Sequence, residues 1–143
     1  DLKEQFGLSY LFISHDLGVV RHMSDRVAVM YLGRIVEIAT RDDLYGEPLH
    51  PYTRILLDAV AVPDPQIERA RDHVLLQGEV PSVATPPPGC PFHPRCPSAM
   101  PVCSREIPPL RLHGNRQIAC HLYDEAAANK TIEAAMDGNG NPN

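Results

Sequence analysis

The sequence predicts an α/β fold followed by an irregular, proline-rich region. Two nearly continuous apolar runs, residues 8–13 and 27–32, are rich in β-forming residues and are typical of buried strands. Apolar residues make up 43% of the 143 residues and charged residues 22%, as in ordinary globular domains. All 15 prolines except Pro142 lie between residues 48 and 109. We therefore expect one region at 1–47, a second at 48–123, and a flexible polar tail at 124–143.

Charge and hydropathy exclude several classes of protein. The net charge is −5, and no cluster of lysines and arginines forms a basic stripe, so we expect no nucleic-acid partner. No apolar run approaches the roughly 20 residues of a transmembrane helix. The first residues lack the basic start and apolar core of a secretory signal. The chain also begins without methionine, so we expect it to be a piece of a longer protein.

The first region predicts a strand, a helix and a hairpin, in that order. The strand at 8–13 is expected to be covered on both faces, as in a parallel sheet. Asp16 follows it and can cap the free N–H groups of a helix at 17–23. The run at 27–32, the turn at Gly33 and Arg34, and the apolar segment 35–39 predict an antiparallel hairpin. Glu37 on this hairpin is expected to face solvent.

Helical segments lie on either side of the boundary at residue 48, and the second region then becomes irregular. Residues 42–45 predict one helical turn ended by Gly46, and Pro51 suits the first position of a helix over 52–60. Asp58 is expected on its solvated face. Residues 74–76 predict a short strand. The three prolines of 86–88 can join neither a helix nor a sheet, so they predict an extended, polyproline-like segment.

His15 is the first candidate functional residue. It directly follows the predicted strand at 8–13, and ligands of open α/β sheets bind at the carboxyl ends of strands. An imidazole at that edge can donate a hydrogen bond to a phosphate oxygen or accept one from a reacting water. The alternative is a histidine that only satisfies the loop backbone.

Four cysteines form the second candidate site: Cys90, Cys96, Cys103 and Cys120. Disulfides are disfavoured because nothing indicates secretion. Structural zinc sites usually contain closely spaced cysteine pairs, which are absent here, and the spacing also differs from the ferredoxin patterns. The spacing therefore leaves an iron–sulfur cluster, zinc and unligated thiols open. His93 and His121 lie nearby in sequence, and we expect them to remain outside the ligand set.

Three segments resemble the end of the ATPase domain of ABC transporters: residues 11–17 (LFISHDL), 24–30 (SDRVAVM) and 33–37 (GRIVE). The resemblance implies that His15 is the switch histidine of the H-loop, which contacts the γ-phosphate of ATP and the facing subunit. The phosphate-loop motif G-x-x-x-x-G-K-[ST] does not occur in the sequence, and the family's Q-loop, signature motif, Walker B and D-loop are missing too. The fold class expected is thus the C-terminal part of a P-loop ABC ATPase domain, inactive as this chain alone.

Four further segments resemble the C-terminal extension of the ABC ATPases that serve oligopeptide, dipeptide and nickel importers. They are residues 50–53 (HPYT), 78–82 (GEVPS), 89–97 (GCPFHPRCP) and 119–121 (ACH). Members with these cysteines are associated with a [4Fe–4S] cluster. The resemblance therefore implies that Cys90, Cys96, Cys103 and Cys120 hold such a cluster, in a structural rather than a redox role.

The resemblance also implies a function and partners. ATP with Mg²⁺ would close this subunit against a second ABC ATPase subunit on the cytoplasmic face of the plasma membrane. Closure would drive two transmembrane permease subunits to import a peptide delivered by a substrate-binding protein. The alternative is an independent four-cysteine module, binding an iron–sulfur cluster or zinc, without an ATPase role. A secreted disulfide protein is the least favoured interpretation. The sequence does not distinguish peptide from nickel as cargo.

Overall fold

The computed structural model describes residues 6–59 and 81–124. These residues contain the helices α1 (Leu17–Met23), α2 (Arg41–Gly46) and α3 (Pro51–Asp58). They also contain the strands β1 (Arg26–Tyr31), β2 (Arg34–Thr40), β3 (Arg111–His113) and β4 (Arg116–Ile118). The strands form one antiparallel sheet in the order β1-β2-β4-β3. Short 3-10 turns lie at His93–Arg95, Pro101–Ser104 and His121–Tyr123.

The predicted hairpin is confirmed as the β1–β2 pair. Burial alternates along β1, with Val27, Val29 and Tyr31 buried, because successive side chains of a strand point to opposite faces. The turn lies at Leu32 and Gly33, one residue earlier than predicted. Both residues have positive φ, 45° and 76°, as a two-residue turn requires when its twist matches that of the flanking strands.

The sheet continues from β2 to β4, across the predicted boundary at residue 48. Glu37 of β2 pairs with Ile118 of β4, and the Ala119 N–H donates to the Val36 carbonyl at 2.9 Å. A strand from the first region thus pairs directly with one from the second. The sequence did not predict β3 or β4, because each has only three residues and no clear alternation of apolar and polar residues.

The prediction of a buried strand at 8–13 is wrong for this structure. The segment forms no strand and its apolar side chains are exposed, Leu11 by 91% and Ile13 by 88%. A strand needs a neighbour to pair its backbone N–H and C=O groups, and none of the described strands pairs with this segment. The described sheet is accordingly antiparallel rather than parallel.

The three predicted helices are confirmed within the described residues. Asp16 caps α1 as expected, with its Oδ1 accepting from the Val19 N–H at 3.0 Å. Thr40 caps α2 in the same way, and its Oγ1 accepts from the Asp43 N–H at 3.2 Å. Pro51 begins α3, since a proline there gives up no intrahelical hydrogen bond. The predicted final residue of that helix, position 60, lies outside the described residues.

An aromatic cluster joins the hairpin, α3 and the cysteine-bearing loops. Phe92 is 1% exposed, and its ring centroid lies 5.2 Å from that of Tyr31 and 5.4 Å from that of Tyr52. The ring centroids of Tyr31 and Tyr52 lie 4.7 Å apart. Residues 86–88 form neither helix nor strand, as predicted. Large aromatic contacts of this kind anchor a loop that lacks a backbone ladder of its own.

Some predictions fall on residues outside the described ranges. These are the strand at 74–76 and, apart from Asp124, the flexible tail at 124–143. Among the residues that are described, no helix has both the length and the apolar character needed to cross a bilayer.

Candidate functional site

His15 lies on the surface at a bend immediately before α1. The backbone there is shaped by two short-range hydrogen bonds, one from the Asp16 N–H to Ser14 Oγ at 3.0 Å and one from the Val19 N–H to the Asp16 carboxylate. The imidazole is exposed, so a ligand can reach it. His15 does not follow a strand, however, because residues 8–13 form none.

The helix that follows His15 is held in place by Tyr45 of α2. The Tyr45 hydroxyl donates to the Leu17 carbonyl at 2.7 Å, and the Arg21 guanidinium lies over the Tyr45 ring, 5.4 Å from its centroid. The first turn of α1 is therefore tied to the element that follows the hairpin. Fixing this turn limits how far the backbone at His15 can move relative to the sheet.

The four cysteines come from three separate stretches of backbone, and none of them forms a disulfide. Cys90 and Cys103 are buried, whereas Cys96 and Cys120 are half-buried. The Cys90 N–H donates to the Cys103 carbonyl at 2.8 Å, and Cys120 follows the end of β4. The fold therefore brings residues that are up to thirty positions apart in sequence into one region.

The thiols also influence one another electrostatically. Burial raises the pKa of the Cys90, Cys96 and Cys120 thiols, and that of Cys120 reaches about 12. Negative charge on the other cysteines raises these pKa values further, and for Cys120 all three of the others contribute. Thiolates that raise one another's pKa in this way repel, and a bound cation would relieve that repulsion.

Each sulfur receives a hydrogen bond from a backbone N–H group. Such bonds stabilise a thiolate and are one of the ways in which proteins tune metal-bound sulfur. The donors are Phe92 and His93 for Cys90, Ser98 for Cys96, Met100 for Cys103 at 3.4 Å, and Leu122 for Cys120. The donor set therefore has the chemistry of thiolate ligands. As arranged in the described residues, however, no three His, Cys, Asp or Glu side chains are placed to hold a metal ion.

The two nearby histidines are engaged with protein oxygens. His93 Nδ1 lies 2.9 Å from the Cys90 carbonyl. His121 is buried, with Nδ1 2.8 Å from the Asp124 carboxylate and Nε2 3.0 Å from the Glu106 carbonyl. Both ring nitrogens of His121 therefore face oxygen acceptors. These contacts fix the backbone on either side of the cysteines.

Sequence reasoning missed Glu37, which is fully buried rather than solvated. Its two carboxylate oxygens accept the Leu49 and His50 N–H groups, each at 2.9 Å. The expectation of a solvated Glu37 is wrong because β4, which pairs with β2 at this residue, was not predicted. Its position between two apolar residues of β2 was the available signal. Asp58 is exposed, as expected.

His50 is a second buried residue that the sequence did not single out for this role. Its Nδ1 accepts from the Tyr52 N–H at 3.1 Å and so caps α3, while its side chain also hydrogen-bonds to the Ala119 carbonyl. Burial lowers the pKa of His50 from 6.5 to about 4, so the ring is neutral at physiological pH. Tyr123 also holds the backbone next to His50, since its hydroxyl donates to the Leu49 carbonyl at 2.9 Å. Side chains from both regions therefore hold the segment 48–51.

The chain is similar to known proteins over most of its length. The family described as "Oligopeptide/dipeptide transporter, C-terminal region" matches residues 36–103. The chain is 52% identical over 124 residues to the oligopeptide transport ATP-binding protein AppF of Bacillus subtilis, covering 86% of the chain and 38% of that protein. It is 50% identical over 123 residues to the oligopeptide transport ATP-binding protein OppF of Escherichia coli, covering 86% of the chain and 37% of that protein.

The chain spans about two fifths of the length of the curated relatives it matches. The identity extends over most of the chain, including the hairpin and the cysteine-bearing loops. The chain therefore matches, over most of its length, the C-terminal region of oligopeptide and dipeptide ABC-transporter ATP-binding proteins.

Proposed function

We propose that this chain is the C-terminal part of an ATP-binding subunit of an ABC importer that takes up peptides. The observation that carries the proposal is the 50–52% identity, over most of the chain, to proteins named as oligopeptide transport ATP-binding proteins. ATP with Mg²⁺ is the nucleotide, and ATP binding and hydrolysis power the uptake. The chain contains no phosphate-loop motif, so hydrolysis requires residues outside it.

His15 is the residue of this chain that acts on the nucleotide. Its exposed imidazole can donate a ring N–H to a γ-phosphate oxygen or accept a proton from the attacking water. Support comes from its position directly before a helix whose first turn is capped by Asp16 and pinned by Tyr45. That arrangement holds the backbone while leaving the ring accessible.

The partners follow from the same proposal. A second ABC ATPase subunit faces His15 across the nucleotide. Closure of the two ATPase subunits acts on two transmembrane permease subunits, and a substrate-binding protein supplies the peptide. The subunit acts peripherally on the cytoplasmic face of the membrane. The relatives' names, which describe peptide transport, support this assignment.

The four cysteines are proposed as ligands of a [4Fe–4S] cluster, with zinc as the alternative. Support comes from four unbridged sulfurs, all with backbone N–H donors, in loops anchored on the hairpin by Phe92. When bound, the cluster supplies a covalent cross-link between two loops and the end of β4. On this proposal, the residues before position 48 belong to the ATPase part and those after it to the cluster-binding extension. One sheet nevertheless contains strands from both parts. No observation favours the free-standing module.

A chimera tests the transport proposal. The region of Escherichia coli OppF that matches this chain is replaced by the chain, and oligopeptide uptake and ATP hydrolysis are measured in cells lacking OppF. We expect uptake to be restored, and His15→Ala to reduce ATP hydrolysis by about 100-fold or more, the scale of lost proton-transfer catalysis. His22→Ala is the matched control, because it removes a different exposed histidine, which lies on α1; this variant should retain activity. Full hydrolysis by the His15 variant would refute its assigned role.

Anaerobic purification tests the cluster. A brown protein with about four iron atoms per chain is expected, and each cysteine-to-serine variant should lose most of that iron. A colourless protein with one zinc ion per chain would refute the cluster in favour of zinc.

A further inference from the structure

The loops that carry three of the cysteines touch through their backbones. The Cys90 loop, residues 89–96, carries Cys90 and Cys96, and the Cys103 turn, residues 101–105, carries Cys103. Their direct link is the 2.8 Å hydrogen bond from the Cys90 N–H to the Cys103 carbonyl. The turn itself is held by the Cys103 N–H donating to the Met100 carbonyl at 2.9 Å. Backbones that meet at this distance leave little room for a side chain between them.

Gly89 lies at the point of contact. A Cβ atom at this position would lie 2.3 Å from the Cys103 carbonyl oxygen, 2.7 Å from the Ser104 carbonyl carbon and 2.8 Å from the Arg105 nitrogen. All three neighbours are backbone atoms, so no rotamer change can relieve the overlap. Position 89 also has a φ of +71°, which glycine adopts without the steric penalty of other residues.

Other glycines show that this contact is distinct from ordinary turn geometry. Gly33 and Gly114 also have positive φ, +76° and +62°, but a Cβ at either would meet nothing within 4 Å. At those positions the backbone conformation alone favours glycine. Within the described ranges, Gly89 is the glycine for which positive φ and a backbone overlap under 3.0 Å coincide.

We propose that Gly89 is the positioning residue of the four-cysteine site, because its missing side chain lets the Cys90 loop close on the Cys103 turn. Any side chain at position 89 separates the two loops and moves the Cys90 thiol away from that of Cys103. The inference deepens the proposed function and rests on the four-cysteine site proposed above. The Cys90 and Cys103 thiols are both buried. A side chain at position 89 would separate the two loops and expose these thiols.

The test compares Gly89→Ala with Gly114→Ala in the whole 143-residue chain. Both variants place alanine at positive φ, but only the first creates an overlap with backbone. In the reduced, metal-free protein, an aromatic disulfide reagent measures the reaction rate of each thiol, with mass spectrometry locating the modified cysteines. We expect Cys90 and Cys103 to react about tenfold faster or more in Gly89→Ala, because overpacking promotes local opening. The Gly114 variant should remain within about twofold of the unmodified chain.

Reconstitution with ferrous iron and sulfide gives a second measurement. Gly89→Ala should retain less than about a tenth of the iron bound by the unmodified chain, and Gly114→Ala should match it. If the unmodified chain takes up no iron, the proposed cluster fails, while the thiol rates still decide the role of Gly89.

Hydrogen exchange separates a positioning role from a general loss of fold. Faster exchange in Gly89→Ala should be confined to residues 89–106, with the hairpin at 26–40 still protected. Equal loss of protection in the hairpin would show that Gly89 supports the whole fold, and would overturn the proposal. Unchanged thiol rates in Gly89→Ala, or equally raised rates in Gly114→Ala, would overturn it as well.

Discussion

The segment before α1 and the loops around the cysteines show opposite relations between sequence pattern and packing. Residues 8–13 have the apolar pattern of a buried strand, yet Leu11 and Ile13 are 91% and 88% exposed. Residues 89–96 have no helical or strand periodicity, yet Phe92 is 1% exposed. Among the residues that the structure describes, no strand pairs with the first segment, whereas the second is fixed by backbone hydrogen bonds and aromatic contacts. Burial in this chain therefore follows available partners more closely than local pattern.

Truncating the two phenylalanines should give the largest contrast between these regions. Phe92→Ala removes a fully buried ring from the contact with Tyr31 and Tyr52, and should lower the free energy of unfolding by about 3–5 kcal/mol. Phe12→Ala removes a ring that is 50% exposed and should cost less than about 0.5 kcal/mol. Urea unfolding followed by circular dichroism measures both. Similar losses would show that residues 8–13 are packed as firmly as the cysteine loops.

Acid should weaken the cysteine side of the molecule through His50. Its pKa is about 4 in the folded chain and 6.5 in the unfolded chain, so the unfolded chain binds more protons between these values. Stability is therefore expected to fall as pH decreases from about 6.5 to about 4, by up to roughly 3 kcal/mol. His50→Asn keeps a capping oxygen for the Tyr52 N–H and removes the titration. Thermal melts against pH should be flatter for this variant, and an unchanged slope would contradict the assignment.

Glu37 should matter more than a typical surface carboxylate because it joins the two regions. Glu37→Gln replaces an oxygen that accepts one of two backbone N–H groups, leaving a buried donor unsatisfied, and should cost about 2–3 kcal/mol. Glu106→Gln is the matched control, since its side chain is exposed and its backbone carbonyl contact with His121 is kept. Chemical unfolding measures both variants. Equal stabilities would mean that the 48–51 segment is held without Glu37.

The smallest effect is expected at the cap of α1. Asp16→Ala removes the acceptor of the Val19 N–H and should destabilise α1 by about 1 kcal/mol. Because α1 has no buried residue, amide exchange should rise within 17–23 and leave β1 and β2 unchanged. Exchange that also rises in the hairpin would show that α1 is coupled to the sheet more tightly than the Tyr45 contacts indicate.

The features that the sequence predicted correctly depend on neighbouring residues. The hairpin, the Asp16 cap and the helix begun by Pro51 each follow from residues a few positions apart, which interact whatever the rest of the chain does. Strands β3 and β4 were not predicted, because each has only three residues and β4 joins the sheet through β2, which lies about eighty positions away. Burial of Glu37 was missed for the same reason. The roles of His15 and the four cysteines remain predictions carried by resemblance.

The sequence by itself determined the hairpin, the three helices and the candidate residues, and its motifs carried the resemblance to the family. Only the tertiary structure decided which residues are buried, because burial depends on surfaces supplied by distant parts of the chain. Pairing of β4 with β2 buries Glu37, and closure of the Cys90 loop on the Cys103 turn gives Gly89 its role. The same physics leaves residues 8–13 exposed, since an apolar segment is buried only where a partner covers it.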